Sequence, residues 1–315
     1  MRVVAPGGRE AWRVATLCAA WYAASSASNV VGKLVLTRFP FPLTVTAVQL
    51  AATVLLSPGA LAALRVHAHT FPRPYWTRVL APLAVAKFLT TLCSQVSIWR
   101  VPVSYAHTVK ATTPLWTASL AWLLFGERQS AAVCRALAAI AAGVAVASLT
   151  ELSFDAGGLG AALAAAALLS LQHIYSKRVL GETGAHHLRL LEALSRAALL
   201  LLLPVWAVAD GAALVEWGAP DAHTSALLAT DGVLAWVQAV LAFSVLSRIS
   251  PLGYAVASAA KRAAVVAASL VLLRNPASPA NVAGMALAAL GVLAYNRAKI
   301  AQRASPLRPP SLLPV

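Results

Sequence analysis

Runs of roughly 20 apolar residues recur along this chain, and each is long enough to cross a hydrocarbon core of about 30 Å. Inside lipid every backbone N–H and C=O must be paired within the protein, which leaves helices or closed barrels. The runs show no period-2 alternation, so they read as helices. Helices apolar all round are buried or membrane-spanning. The composition agrees: 60% of residues are hydrophobic, 11% are charged and the mean hydropathy is +0.75. A soluble domain carries about a quarter charged residues. The expected fold is an all-α polytopic membrane protein with lipid as its main solvent.

Ten spans are predicted, over residues 12–33, 41–64, 79–99, 103–124, 131–150, 156–176, 188–210, 224–247, 250–273 and 278–296. Turn chemistry separates them at Phe39-Pro40-Phe41-Pro42, Pro72-Arg73-Pro74, Gly126-Glu127, Gly157-Gly158, Gly218-Ala219-Pro220 and Asn275-Pro276. The first apolar run spans, so it reads as a signal-anchor, and the few residues before it leave little room for an organelle transit peptide.

Charge orients the spans. The net charge is +15, and sixteen of the 25 Lys and Arg fall on the face shared by the termini and the even-numbered loops. Only Lys33, Arg38, Arg100 and Arg274 fall on the other face. The positive-inside rule then makes both termini cytosolic. Topology and contact with an anionic leaflet account for the basic balance without a nucleic-acid partner.

Residues 101–148 and 249–296 resemble each other: a proline-and-tyrosine helix start, a basic residue, a Leu-Leu end, a polar turn and a small-residue helix. Tyr105 faces Tyr254, and Lys110 falls within two residues of Lys261. The shared composition of alanine-rich helices is the bland reading. Taken as a repeat, the unit is five spans, an odd number, so the second copy is inverted. The expected organisation is a cytosolic N-terminus over 1–11, a first five-helix repeat over 12–150, a second over 151–299 and a short disordered tail over 300–315. Inverted repeats place substrate near the midplane at their interface.

Five basic residues fall inside spans: Lys87, Lys110, Arg196, Lys261 and Arg262. Each costs about 2.5–3.5 kcal/mol at the centre of a helix on insertion scales. Snorkelling can rescue Lys110 or Lys87, but hardly the adjacent pair Lys261-Arg262. Acidic residues fall in loops or at span ends, except Glu192, which is expected to pair with Arg196 at i, i+4. Lys110, Lys261 and Arg262 therefore call for a water-filled cavity that receives an anion; backbone carbonyls and water are the ligand-free alternative. Arg presents a planar fork and Lys a point charge to phosphate oxygens. Lys87 and Lys33 are weaker candidates, Lys33 being able to anchor a helix end instead. His107 shares the Lys110 helix face but reads first as a satisfied core histidine and only second as a substrate contact.

Cys18, Cys93 and Cys134 form no CxxC pair, and the other histidines lack further ligands, so neither a disulfide framework nor a metal site is expected. No nucleophile–base arrangement, paired carboxylates or phosphate-binding loop supports an enzyme, and no cofactor is implied.

Several stretches carry a resemblance. They are Asn29-Val-Val-Gly-Lys33, Phe39-Pro-Phe-Pro42, Val101-Pro-Val-Ser-Tyr-Ala-His-Thr-Val-Lys110-Ala-Thr, Thr150-Glu-Leu-Ser-Phe-Asp155, Ser170-Leu-Gln-His-Ile-Tyr-Ser-Lys-Arg178 and His186-His-Leu-Arg-Leu-Leu191. Ser250-Pro251, Lys261-Arg262, Arg274-Asn-Pro276 and Leu293-Ala-Tyr-Asn296 add to them. Over about residues 12–300 the chain resembles the triose-phosphate and nucleotide-sugar translocators of the drug/metabolite transporter superfamily, and within it solute carrier family 35, subfamily E. The resemblance implies ten helices in two inverted halves, with Lys110, Lys261 and Arg262 clamping a substrate phosphate. It further implies substrate contacts at Thr91 and Ser94, and at Gln238, where the family has a tyrosine. Tyr105, Tyr254 and His107 join the candidate contacts.

The expected function is alternating-access antiport of a sugar phosphate or similar organophosphate anion, in the Golgi or related endomembranes. A nucleotide-sugar transporter, and a non-transporting receptor or scaffold on a transporter fold, remain open alternatives.

Overall fold

The computed structural model describes residues 8–67, 71, 73–246, 248–249, 251–275 and 277–304. The first seven residues, the tail from 305, and the turn residues Pro72, Ser250 and Pro276 lie outside the described residues. Among the described residues the structure is helical and contains no strand.

The helices are α1 (Gly8–Arg38), α2 (Pro42–Ala63), a single turn α3 (Arg73–Tyr75), α4 (Ala81–Arg100), α5 (Val103–Lys110), α6 (Thr113–Phe125), α7 (Ala131–Leu149), α8 (Ala156–Thr183), α9 (His187–Trp206), α10 (Ala212–Trp217), α11 (Ala222–Leu246), α12 (Pro251–Leu272) and α13 (Pro279–Ala304). π turns at Trp76–Leu80 and Ala207–Gly211 join α3 to α4 and α9 to α10. Their ends carry the expected chemistry. Ser130 accepts from Val133 N at 3.4 Å and Asp155 from Gly158 N at 2.5 Å. Gly126 and Gly184 terminate α6 and α8 at positive φ, where a Cβ would be strained.

Among the described residues seven helical stretches are long and apolar enough to cross a membrane, so this is a multi-pass membrane protein. They are Pro42–Ala63, Arg73–Arg100, Ala131–Leu149, Ala156–Thr183, His187–Trp217, Ala222–Ala242 and Pro279–Gln302. The other three predicted spans correspond to α1, to α5–α6 and to α12, and these carry Lys33, Lys110 and the Lys261-Arg262 pair.

Three expectations need correction. The predicted span over 103–124 is interrupted at Ala111–Thr112. Pro114 cannot donate to the carbonyl four residues back, which belongs to Lys110, and its ring crowds that carbonyl. The Thr113 hydroxyl donates to the freed Lys110 oxygen at 2.6 Å instead. The matching stretch of α12 has no proline and runs unbroken. Second, the seventh span continues past residue 210 to Trp217 through the π turn, and it buries Asp210. That carboxylate accepts from the Thr44 backbone N and hydroxyl, both at 2.8 Å, and so serves the open N-terminus of α2. Third, Asp231, grouped with the acidic residues of loops and span ends although the predicted span 224–247 contains it, sits well inside α11 at 1% exposure.

Packing pairs α7 with α13, α4 with α8, α1 with α11, α2 with α9, α2 with α11, α4 with α9, α1 with α12, α6 with α8, and α5 with α12. The α7–α13 contact is the most intimate. A Cβ on Gly284 would sit 2.6 Å from Ala147 N, and one on Gly291 would sit 2.9 Å from Ile140 N. Close backbone approach of small residues is how helices gain packing energy where lipid offers no hydrophobic drive.

Polar contacts sort the connections into two ends. At one end Lys299 meets Glu127 at 2.6 Å, Arg189 reaches the Val66 and His67 carbonyls, and Tyr75 donates to Glu182. At the other Arg38 meets His223, Arg100 meets Asp155, and Asn281 donates to Glu151.

Candidate functional site

Lys110 ends α5 at the helix break, where the partial negative charge of a helix C-terminus favours a cation. Lys261 and Arg262 lie mid-way along α12, which packs directly on α5. The three cations and His107 are close enough for their charges to interact. All four side chains are half-buried rather than sealed, deep within the helix bundle. Among the described residues Lys110 and Arg262 make no hydrogen bond or ion pair within the protein. Their donors are therefore free for a ligand. Arg262 and His107 also line a cavity of about 250 Å³ between α5, α12 and α13, walled otherwise by Thr108, Leu270, Met285 and small apolar residues.

α1 supplies the remaining wall. Trp21, 3% exposed, lies under the Lys261 ammonium at 5.1 Å from the ring centroid. Trp21 also stacks on Tyr254 at 5.4 Å and 17°. Two turns on, Asn29 Oδ1 meets His107 Nε2 at 2.7 Å, while Asn29 Nδ2 donates to the Ser25 carbonyl. His107 is thus a satisfied histidine and a wall residue at once.

The other predicted contacts divide. Thr91 and Ser94 are half-buried on α4, with the Thr91 hydroxyl turned to the Lys87 carbonyl. Lys87 itself is half-buried and makes no hydrogen bond or ion pair among the described residues. Gln238 donates to the Ser28 hydroxyl at 3.3 Å. Tyr105 is fully buried with its hydroxyl on Ser148 at 2.8 Å, so it belongs to the α5–α7 packing. Lys33 spends its ammonium on the carbonyls of Ile98, Trp99 and Val101, at 2.7, 3.1 and 3.1 Å. It caps the C-terminus of α4. Arg196 pairs with Glu192 at 2.7 Å, as its spacing predicts, and Arg189 joins the same carboxylate.

Sequence reasoning missed Trp21, Asn29 and Asp231 as parts of this region. Trp21 offered no signal, being one of nine tryptophans in an apolar chain. Asp231 offered one: a carboxylate nine residues inside the helix that starts at Ala222.

Residues 12–296 match the Triose-phosphate Transporter family. The chloroplastic phosphoenolpyruvate/phosphate translocator 3 of Oryza sativa subsp. japonica is 34% identical over 301 residues, covering 92% of this chain and 75% of its own length. The chloroplastic phosphoenolpyruvate/phosphate translocator 2 of Arabidopsis thaliana is 32% identical, over 90% of this chain and 76% of its own. The chloroplastic glucose-6-phosphate/phosphate translocator 1 of the same plant is 28% identical, over 90% and 74%. One solved protein crystal structure shares the fold, with a TM-score of 0.59 at 17% identity, over 89% of this chain and 97% of its own.

Proposed function

Because the chain belongs to the Triose-phosphate Transporter family, we propose that it exchanges phosphorylated metabolites for phosphate across a membrane by alternating access. The observation that carries this reading is the convergence of Lys110, Lys261 and Arg262, with the donors of Lys110 and Arg262 unused. A phosphate ester supplies the missing negative charge: Arg262 offers the planar fork, and the lysines neutralise the remaining oxygens. Thr91, Ser94 and His107 contribute polar edges. The relatives named as phosphoenolpyruvate/phosphate and glucose-6-phosphate/phosphate translocators support the same substrate class.

The fold part of the proposal is ten crossings in two inverted halves, 12–150 and 151–299. Its support is the pairing pattern. Moving each predicted span five places along maps α4–α8 onto α1–α11, α6–α8 onto α1–α12 and α4–α9 onto α2–α11, and leaves α7–α13, α2–α9 and α5–α12 unchanged. The two separate sets of end contacts agree with alternating crossings. Positive-inside charge favours cytosolic termini.

Closing an empty site would strand the clamp's excess positive charge away from water, at a cost of several kcal/mol. The loaded carrier therefore reorients far faster than the empty one, which makes transport an exchange. The test is purified protein in liposomes. Phosphate-ester uptake should require phosphate inside and should fall with Lys261→Ala plus Arg262→Ala. Uptake indifferent to that double substitution removes the clamp, and equal uptake into empty vesicles removes obligate exchange. The endomembrane assignment follows the solute carrier 35 resemblance, whereas the relatives are named chloroplastic. Imaging the tagged chain against Golgi and plastid markers separates the two.

A further inference from the structure

The described clamp leaves one buried ionisable group unused. Asp231, nine residues inside α11, is 1% exposed. Gln49 Nε2 on α2 donates to its Oδ2 at 2.8 Å, and Ser28 Oγ on α1 to its Oδ1 at 3.5 Å. Behind these, Gln95 on α4 donates to Gln49 Oε1 at 2.8 Å, and Gln238 donates to Ser28 at 3.3 Å. Two chains of neutral donors thus converge on one carboxylate, and Gly32 leaves room for it, a Cβ there falling 3.3 Å from Oδ1.

No cation answers it among the described residues. α2 carries no ionisable side chain. On α1, Lys33 is occupied by the α4 carbonyls and Arg38 by His223 of α11 itself. On α9, Arg189 and Arg196 hold Glu192, and the adjoining π turn brings only Asp210, taken by Thr44. α12 directs Lys261 and Tyr254 to Trp21, and its Arg262 lines the cavity between α5, α12 and α13. On α4, Arg100 holds Asp155, and Lys87 makes no contact with Asp231. An ionisable side chain within a membrane helix is costly, and in transporters such groups carry protons.

Asp231 and the clamp region meet α1 at consecutive residues, Ser28 for Asp231 and Asn29 for His107. Charge balance then suggests a role. Three clamp cations are neutralised by a dianionic phosphate together with an ionised Asp231. They are equally neutralised by a trianion, a phosphate ester bearing a further carboxylate, when Asp231 is protonated. We propose that Asp231 is a proton-binding site, filled when the carrier holds a trianionic ester and empty when it holds dianionic phosphate. The inference rests on the phosphate clamp proposed above.

The proton balance closes over one cycle. Asp231 takes a proton from water on the side where the trianion loads and releases it with the ester on the other. The carrier returns with phosphate and an ionised Asp231. The bonds from Gln49 and Ser28 reach from the first half of the chain to α11 in the second. Rocking of the halves parts them and wets the carboxylate.

The experiment uses the full chain in liposomes containing a pH-sensitive dye, with phosphoenolpyruvate exchanged for internal phosphate and phosphate homoexchange as control. Wild type should move about one proton per ester in the heteroexchange and about none in the homoexchange. In Asp231→Asn the proton-to-ester ratio should drop to about zero, whatever the exchange rate. A ratio retained in Asp231→Asn means that the substrate carries the proton and overturns the inference. Where Asp231→Asn does not reconstitute, Asp231→Glu should displace the pH midpoint of the ratio, and an unmoved midpoint overturns it equally. Wild-type exchange without proton movement defeats this inference alone. No wild-type exchange of either kind defeats the clamp reading and this inference with it.

Discussion

Trp21 gives the sharpest test of how the site is held. Its ring lies 5.1 Å from the Lys261 ammonium and stacks on Tyr254 at 5.4 Å, with only 3% of the residue exposed. Trp21→Leu removes a cation–π contact of about 0.5–2 kcal/mol and an aromatic stack of about 0.5–1.5 kcal/mol. If both act to hold Lys261 toward the phosphate, ester binding should weaken by about 1–3 kcal/mol, or roughly 5- to 150-fold. Trp21→Phe keeps a ring face in place and should lose far less. Binding of radiolabelled phosphoenolpyruvate to purified protein reads both variants. A double-mutant cycle with Lys261→Met isolates the shared part, expected at about 0.5–2 kcal/mol of coupling. Trp21→Leu also leaves a packing defect, so thermal unfolding without ligand is measured alongside. A variant that loses stability but binds the ester at wild-type affinity, or a cycle that is strictly additive, would refute the positioning argument.

Other consequences follow from single contacts. Gly284→Val forces a side chain onto the Ala147 and Gly143 backbones, so it should cost about 1–3 kcal/mol and lower the melting temperature in detergent. Pro114→Ala restores a donor to the Lys110 carbonyl and should join α5 to α6; ester affinity should fall several-fold with stability held or raised, which circular dichroism and binding together detect. Lys33→Met removes the ammonium from the Ile98, Trp99 and Val101 carbonyls at the end of α4; stability should drop by about 1–3 kcal/mol while ester affinity stays at the wild-type value, and reduced affinity at full stability would contradict the capping role. Asp210→Ala removes the acceptor from the N-terminus of α2 and should cost about 0.5–2 kcal/mol in a thermal melt.

Much of this architecture is legible in the sequence because lipid imposes strong local rules. A run of some twenty apolar residues must be helical wherever it ends up, and a lysine or arginine within one must be either functional or able to escape. Those rules locate the helices, the charge asymmetry and the cations of the candidate clamp from residue order alone. They also identify Arg196 and Glu192 as a pair, since an i, i+4 relation lives on one helix. The break after Lys110 was equally written in the chain, as Pro114, although an apolar run hides it from a count of hydrophobic residues.

What residue order could not decide is which side chains meet across helices. Lys33 and Lys110 look alike as basic residues of apolar segments, yet one caps α4 and the other keeps its donors free. Tyr105 and Tyr254 hold corresponding places in the two similar sequence segments, but one is sealed against Ser148 and the other stacks on Trp21. Asp231 acquires its meaning only when α2 brings an amide and α1 a hydroxyl to it, α4 backs that amide through Gln95, and no cation among the described residues pairs with it. The physical reason is common to all three. Solvation in lipid is a property of each segment by itself, whereas pairing, capping and neutralisation depend on neighbours tens or hundreds of residues away, and only the packed bundle chooses those neighbours.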